Sequence, residues 1–247
     1  MEILNSGSSK SGAERPDLRL IGDSESAGGV MGEVKLTGDG IIHGSLDCLK
    51  LSCTGDIIIH GDLIADSVRM MGEMQIEGTA RVQSLKITGD TEIHRSLSAE
   101  QMAVIGECSI GGDLQVEDLK MTGQLQVKGN CQAEQFAVRG AVNMNEMLNS
   151  DVVEIKLHGM SRIREIGGRS IRVERKQGFP LVILNGGKSW LSADQIEGDE
   201  ISLEYTEAQV VRGSNVVIGS GCRIGLVEYT GECICSPKAE VGELRKI

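Results

Sequence analysis

Apolar residues recur along this chain at a fixed interval of 17 positions. Glycine marks the interval at 38, 55, 72, 89, 106, 123 and 140. Four residues before each glycine stand Val34, Leu51, Val68, Leu85, Met102, Leu119 and Phe136. Two before it stand Leu36, Cys53, Met70, Ile87, Val104, Met121 and Val138, and four after it Ile42, Ile59, Ile76, Ile93, Ile110, Val127 and Met144. Further columns run from Leu46 to Leu148 and from Cys48 to Ser150. Within a repeat the apolar positions fall two apart, the period of a β-strand and not of a helix. A second glycine column (Gly44, Gly61, Gly78, Gly112, Gly129) is interrupted by Arg95 and Glu146.

Three short strands and three corners in each repeat describe one coil of a triangular solenoid. Glycine at the first two corners suits positive φ or close backbone approach. A lone coil buries too little to fold, so each needs neighbours for burial and for strand hydrogen bonds. Leucine-rich repeats are excluded, because no asparagine or cysteine column exists. The pattern therefore predicts an all-β, three-sided parallel β-helix.

After residue 150 the register loosens. Val153 and Ile155 continue one face, Gly159 arrives two residues late, and Ile163, Ile171 and Val173 suggest coils with an inserted bulge. Leu181 to Leu184 is an apolar run before an Asn185-Gly186-Gly187 turn. Ile201 recurs at Ile218 and Val210 at Val227, again 17 apart. The expected organisation is a flexible Gly/Ser-rich tail over 1–30, a β-helix over 31–230 (regular to 150, irregular over 151–230), and a tail over 231–247.

Composition agrees with many small units: aromatics are 2%, glycines number 33 and prolines 3. The net charge of −11 argues against a phosphate-backbone ligand, which needs a basic face. The polar start, Met1 to Lys10, predicts no signal peptide, and no apolar run approaches the roughly 20 residues of a membrane span. The seven cysteines are read as cytoplasmic thiols.

Several constellations have a chemical and a plain reading. The acids Asp39, Asp56, Glu73, Asp90 and Glu107 follow the glycine and stack at the strand spacing of about 4.8 Å. They suit Ca²⁺ or, more simply, a Thr-Gly-Asp turn. His43, His60 and His94 share a column with Glu77; zinc or an exposed corner are the alternatives, and the corner is preferred. Cys48, Cys53, Cys108 and Cys131 read as core hydrophobes, and Cys233-x-Cys235 is a weak metal signal. Gly187-Lys188-Ser189 lacks the earlier glycine of a phosphate loop, since Val182 stands there. Arg162 to Lys176 carries six basic and two acidic residues and reads as a solvated face. Trp190 stands alone, without the aromatic platform of sugar-acting β-helices. No cofactor, metal or catalytic residue is assigned.

The repeat length and segments such as Thr54-Gly55-Asp56-Ile57-Ile58-Ile59-His60-Gly61-Asp62-Leu63 resemble bactofilins. The stretches Ile196 to Asp199 and Val227 to Tyr229 are similar to longer bactofilin-like proteins of Firmicutes. The resemblance spans roughly residues 30–230. It implies a right-handed helix, polymerisation without nucleotide, and a non-enzymatic cytoplasmic or membrane-associated scaffold in cell shape or motility. The partner would be the chain itself, with a related bactofilin as a second subunit. An uncapped solenoid presents unpaired strand edges at each end. Val34, Leu36 and Ile42 are expected near one end and Val227, Tyr229 and Ile234 near the other. The alternatives are a monomeric docking module and a β-helical acyltransferase or polysaccharide-acting enzyme. The longer coil of left-handed acyltransferases, built from six-residue periods, fits poorly, although Ile218 to Ile224 is hexapeptide-like.

Overall fold

The computed structural model describes residues 15–175 and 189–247. The readings at Leu181 to Leu184, Asn185 to Gly187, Gly187-Lys188 and Lys176 lie outside the described residues. Among the described residues seventeen strands form one continuous parallel sheet wound into a solenoid of about 13 turns.

Each coil presents three faces. In the second coil they are residues 33–37, 40–42 and 46–48, called here the first, second and third face. Inward side chains alternate with outward ones, as the period of two requires. Val34, Leu36, Ile42, Leu46 and Cys48 are all buried, and their counterparts above and below form one core along the axis.

The three corners differ. Strands Leu63–Ile76, Ala80–Ile93, Leu97–Ile110 and Leu114–Val127 each run unbroken over third, first and second faces. Only the corner between second and third faces interrupts the strand. The corner between first and second faces bends at a glycine of positive φ, such as Gly123 at 137°. A Cβ there would run into the carbonyl oxygen of Gly106 one coil below. The second glycine column has no such φ. At Gly78 the requirement is space alone, because a Cβ would meet the Asp62 carboxylate.

The break between second and third faces carries its own device, which the apolar pattern did not show. Ser45, Asp62, Thr79, Ser96, Asp113 and Asn130 occupy equivalent positions in successive coils. Asp62 N–H donates to Ser45 Oγ at 3.0 Å, Thr79 N–H to Asp62 Oδ1 at 2.7 Å, and Asn130 N–H to Asp113 Oδ1 at 2.8 Å. Side chains thus take over the acceptor role where the strand ladder stops, as caps do at helix ends. Donation from the Thr79 N–H and hydroxyl holds the Asp62 carboxyl below its ordinary range.

The solenoid extends past both expected boundaries. Strand Leu18–Ile21 pairs with residues 34–37, and Ser24–Ser26 with 40–42. Residues 17–30 are therefore a coil, not a tail. Its first two faces fall one position short of the regular interval, which hid it. At the other end Cys233–Cys235 pairs with residues 216–218, and Glu240–Lys246 with 223–229. Residues 231–247 also form a coil.

Beyond residue 150 the pairing departs from the regular interval. Met144 lies beside Ile163, and Val153 beside Ile171. A register shift falls between Met144 and Met147. The buried Ser161 hydroxyl satisfies the Val142 N–H there, at 3.0 Å. The Trp190–Leu203 strand follows its predecessor after a much longer excursion, and Ile171 pairs with Ile201. The next coil is shorter than a regular one: Ile201 pairs with Val216 and Leu203 with Ile218. Val211, not Val210, lies beside Val227. The expected recurrences of Ile201 at Ile218 and of Val210 at Val227 are accordingly not stacking partners. Each face keeps at least one buried apolar side chain in its column, with Ser161, Thr206 or a glycine at some of the second positions, and the corners absorb the change in length.

Candidate assembly surfaces

At the amino-terminal end the coil 17–31 is the last described. Leu18 and Met31 are half-buried, and Leu20 is 9% exposed; all three point into the core column. Ile21 and Val30 are exposed on the rim. At the other end the coil 231–247 places Cys233 and Val241 partly against the core. Leu244, beside Val227, is 52% exposed. Cys235, beside Ile218, is also exposed. Among the described residues no strand pairs with the outer edges of these two coils, and no helix covers them.

Five of the six residues expected near the ends lie one coil inward of the terminal coils. Val34, Leu36 and Ile42 are fully buried one coil inward, beneath Leu18, Leu20 and Ser26. Val227 is buried beneath Leu244. Tyr229 is half-buried, with Lys246 Nζ 5.9 Å from its ring centre. Only Ile234 belongs to a terminal coil, where it is 60% exposed. The offset came from taking residues 1–30 and 231–247 as tails.

The flanks are ordered by column. Asp56 Oδ1 accepts the Glu73 N–H at 3.1 Å, and Asp90 Oδ1 the Glu107 N–H at 3.2 Å. That is the turn reading of the acid column. His43 reaches Glu25 at 3.0 Å and stacks on His60 at 5.8 Å. His60 pairs with Glu77 at 2.9 Å, and His94 lies 3.1 Å from Gln75. Each imidazole therefore has its own polar partner at an exposed corner. Among the described residues no group of three or more His, Cys, Asp or Glu is placed to hold a metal ion.

Cys48, Cys53, Cys108, Cys131 and Cys222 are buried thiols. Burial pushes Cys108 and Cys131 up to about 12. Cys233 and Cys235 lie side by side, Sγ to Sγ 3.7 Å. Desolvation, then the neighbouring thiol, raises Cys233 to about 11.

The basic stretch after Arg162 does not make one patch. Arg164 pairs with Glu146 at 2.6 Å on one face, and Arg172 with Glu174 at 3.5 Å on another. Arg175 lies 4.4 Å over the Tyr205 ring, and Arg223 lies 5.2 Å over Trp190. Tyr205 itself takes φ 47° at a corner where earlier coils use glycine. Ile218 to Ile224 turns the next such corner, with Gly221 at φ 75° against the Tyr205 ring.

No helix long and apolar enough to cross a membrane occurs among the described residues. The chain is 44% identical over 102 residues to the uncharacterized protein YhbF of Bacillus subtilis (strain 168), a match covering 41% of this chain and 42% of that protein. It is 42% identical over 102 residues to the uncharacterized protein YhbE of the same strain, covering 41% of this chain and 43% of that protein. The chain thus spans about two fifths of the length of the curated relatives it matches. No family model matches the chain, and no solved structure matches it.

Proposed function

We propose that this chain is a non-enzymatic structural polymer of the bactofilin type, assembling end to end without nucleotide into a cytoplasmic scaffold for cell shape or motility. The observation that carries the reading is the pair of terminal coils. Among the described residues each leaves its outer strand edge unpaired around apolar, core-directed side chains. Such edges are templates for another strand. A second copy in the same orientation continues the first-face column, bringing its Leu18 and Leu20 against Cys233 and Cys235. Its own coils supply the missing hydrogen bonds. Cysteines that are all thiols agree with a reducing compartment.

The test is negative-stain electron microscopy of the purified full chain, without nucleotide. Filaments are expected. Leu244→Glu and Leu18→Glu, each at a terminal coil, should shorten or abolish them while the thermal midpoint stays near that of the native chain. Filaments of native length in both variants would overturn the end-to-end contact. Uniform small particles from the native chain would favour the monomeric docking module.

A further inference from the structure

The flanks of the solenoid differ in charge. On the first face the outward columns carry Lys35, Arg69, Lys86, Lys120, Arg139 and Lys156, against the acids Glu33, Asp118 and Glu154. Among the described residues only Lys120 of these basic side chains makes an ion pair, with Asp118 on its own strand at 3.1 Å. On the second face the outward positions from coil two to coil six carry Asp39, Asp56, Glu73, Asp90, Glu92 and Glu107. No lysine or arginine occupies a strand position there. The five carboxylates that follow the corner glycine make no ion pair among the described residues.

Apolar side chains sit among both sets of charges. Met71 and Ile105 are 56% and 59% exposed on the first face, and Ile41 and Ile58 are half-buried on the second. Both faces thus mix apolar contacts with charge, as protein interfaces do.

We infer that the first face of one molecule docks side by side on the second face of another copy of this chain. Two features favour a copy over other occupants. The two ladders have opposite sign, and both rise from the same stacked backbone at about 4.8 Å per coil. Arg69 and Lys86, in adjacent coils, can therefore face two successive acids in step, with Ser52 and Ala103 as neutral gaps on either side. A like-charged ladder repels itself, and a facing ladder of opposite sign relieves that repulsion. This contact uses none of the end residues. It rests on the self-assembly reading only in making the partner a second copy, and it holds for single molecules as well as filaments.

The experiment compares the native full chain at about 0.05 M and about 1 M salt, where the screening length falls from above 10 Å to about 3 Å. Electron microscopy and sedimentation velocity read side-by-side association. The expected result is bundles or lateral oligomers at low salt and separate filaments or monomers at high salt. Arg69→Glu/Lys86→Glu/Lys120→Glu should lose lateral association with filament length unchanged. Asp56→Lys/Glu73→Lys/Asp90→Lys should do the same. An equal mixture of the two variants should regain it. Asp66→Lys/Glu100→Lys/Glu117→Lys changes net charge equally on the third face and should keep it.

Single filaments at every salt would overturn this contact and leave the end contact standing. Salt-dependent lateral oligomers without filaments would do the reverse. Equal loss with the third-face variant, or binding of the native first face to anionic vesicles in place of its own kind, would also overturn it.

Discussion

The stack before residue 150 and the stack after it solve the same problem with different tolerances. In the first, coils from 32 to 150 keep one constant step, each bending at a positive-φ glycine packed on the glycine below. In the second, the step changes from coil to coil: it lengthens slightly from Val153 to Ile171, greatly from Ile171 to Ile201, and shortens from Ile201 to Val216. It returns to the regular value only from Val216 to Cys233. Tyr205 and a serine-glycine turn replace the glycine bend. Yet Ile171, Ile201, Val216 and Val173, Leu203, Ile218 are as deeply buried as their regular counterparts. Uniform coil length thus accompanies the corner glycines from Gly38 to Gly140, whose φ runs from 112° to 154°. The core itself requires only one inward apolar side chain on each face, its neighbour being at times Ser, Thr or Gly, as at Ser161 and Thr206.

That contrast is breakable, and the largest effect is expected at the corner. Gly123→Ala forces a Cβ into positive φ and against the carbonyl oxygen of Gly106. It should cost about 2–4 kcal/mol in denaturant unfolding. Gly167→Ala, in the irregular stack with only an ordinary contact to Asn149, should change stability by less than about 0.5 kcal/mol. Equal costs at the two sites would remove the distinction.

A second effect comes from the thiols. Cys108 and Cys131 both lie in the regular stack, and burial raises their folded pKa from 9.0 to about 12. The unfolded thiols ionise first, so stability is full below about pH 9 and falls as pH rises toward 12. The fall amounts to at most about 1.4 kcal/mol per thiol per pH unit. Hydrogen exchange should show the coils around Cys108 and Cys131 loosening between pH 9 and pH 10.5. Cys108→Ala/Cys131→Ala should flatten that slope even as it lowers stability at neutral pH.

The smallest effect belongs to the side-chain ladder at the strand break. Asp113→Ala leaves the Asn130 N–H without its 2.8 Å acceptor, at a cost of about 1 kcal/mol. In Thr79→Ala the Thr79 hydroxyl no longer donates to Asp62. An NMR titration should then find the Asp62 pKa closer to the ordinary carboxylate value, with a smaller loss of stability in acid. An unmoved titration would assign the shift to the backbone donor alone.

The regular stack was legible because its inward residues and corner glycines repeat in phase. The two terminal coils were not. Leu18 and Leu20 stand one position closer to Val34 and Leu36 than the regular interval, amid serine and glycine. Cys233, Cys235 and Leu244 hold core-directed positions among lysines and glutamates. All but Ile234 of the residues expected near the ends therefore lie one coil inward of the terminal coils. The recurrence of Ile201 at Ile218 misled because a shortened coil intervenes, and periodicity alone cannot count a shortened corner. The Ser45–Asn130 ladder escaped notice because serine, aspartate, threonine and asparagine share no hydrophobic signature, although each offers an acceptor oxygen at the same place.

The direction of the hydrogen bonds has a mechanical consequence. Strands run around the axis, so their backbone bonds lie along it. A sideways push on the solenoid is shared by many coils at once. A pull on the two chain ends passes through every coil, but it peels the terminal ones, whose bonds open one after another like a zip. Coils would then leave singly, each releasing roughly 50 Å of chain. A scaffold made this way is a stiff spacer that yields in small, countable steps when stretched.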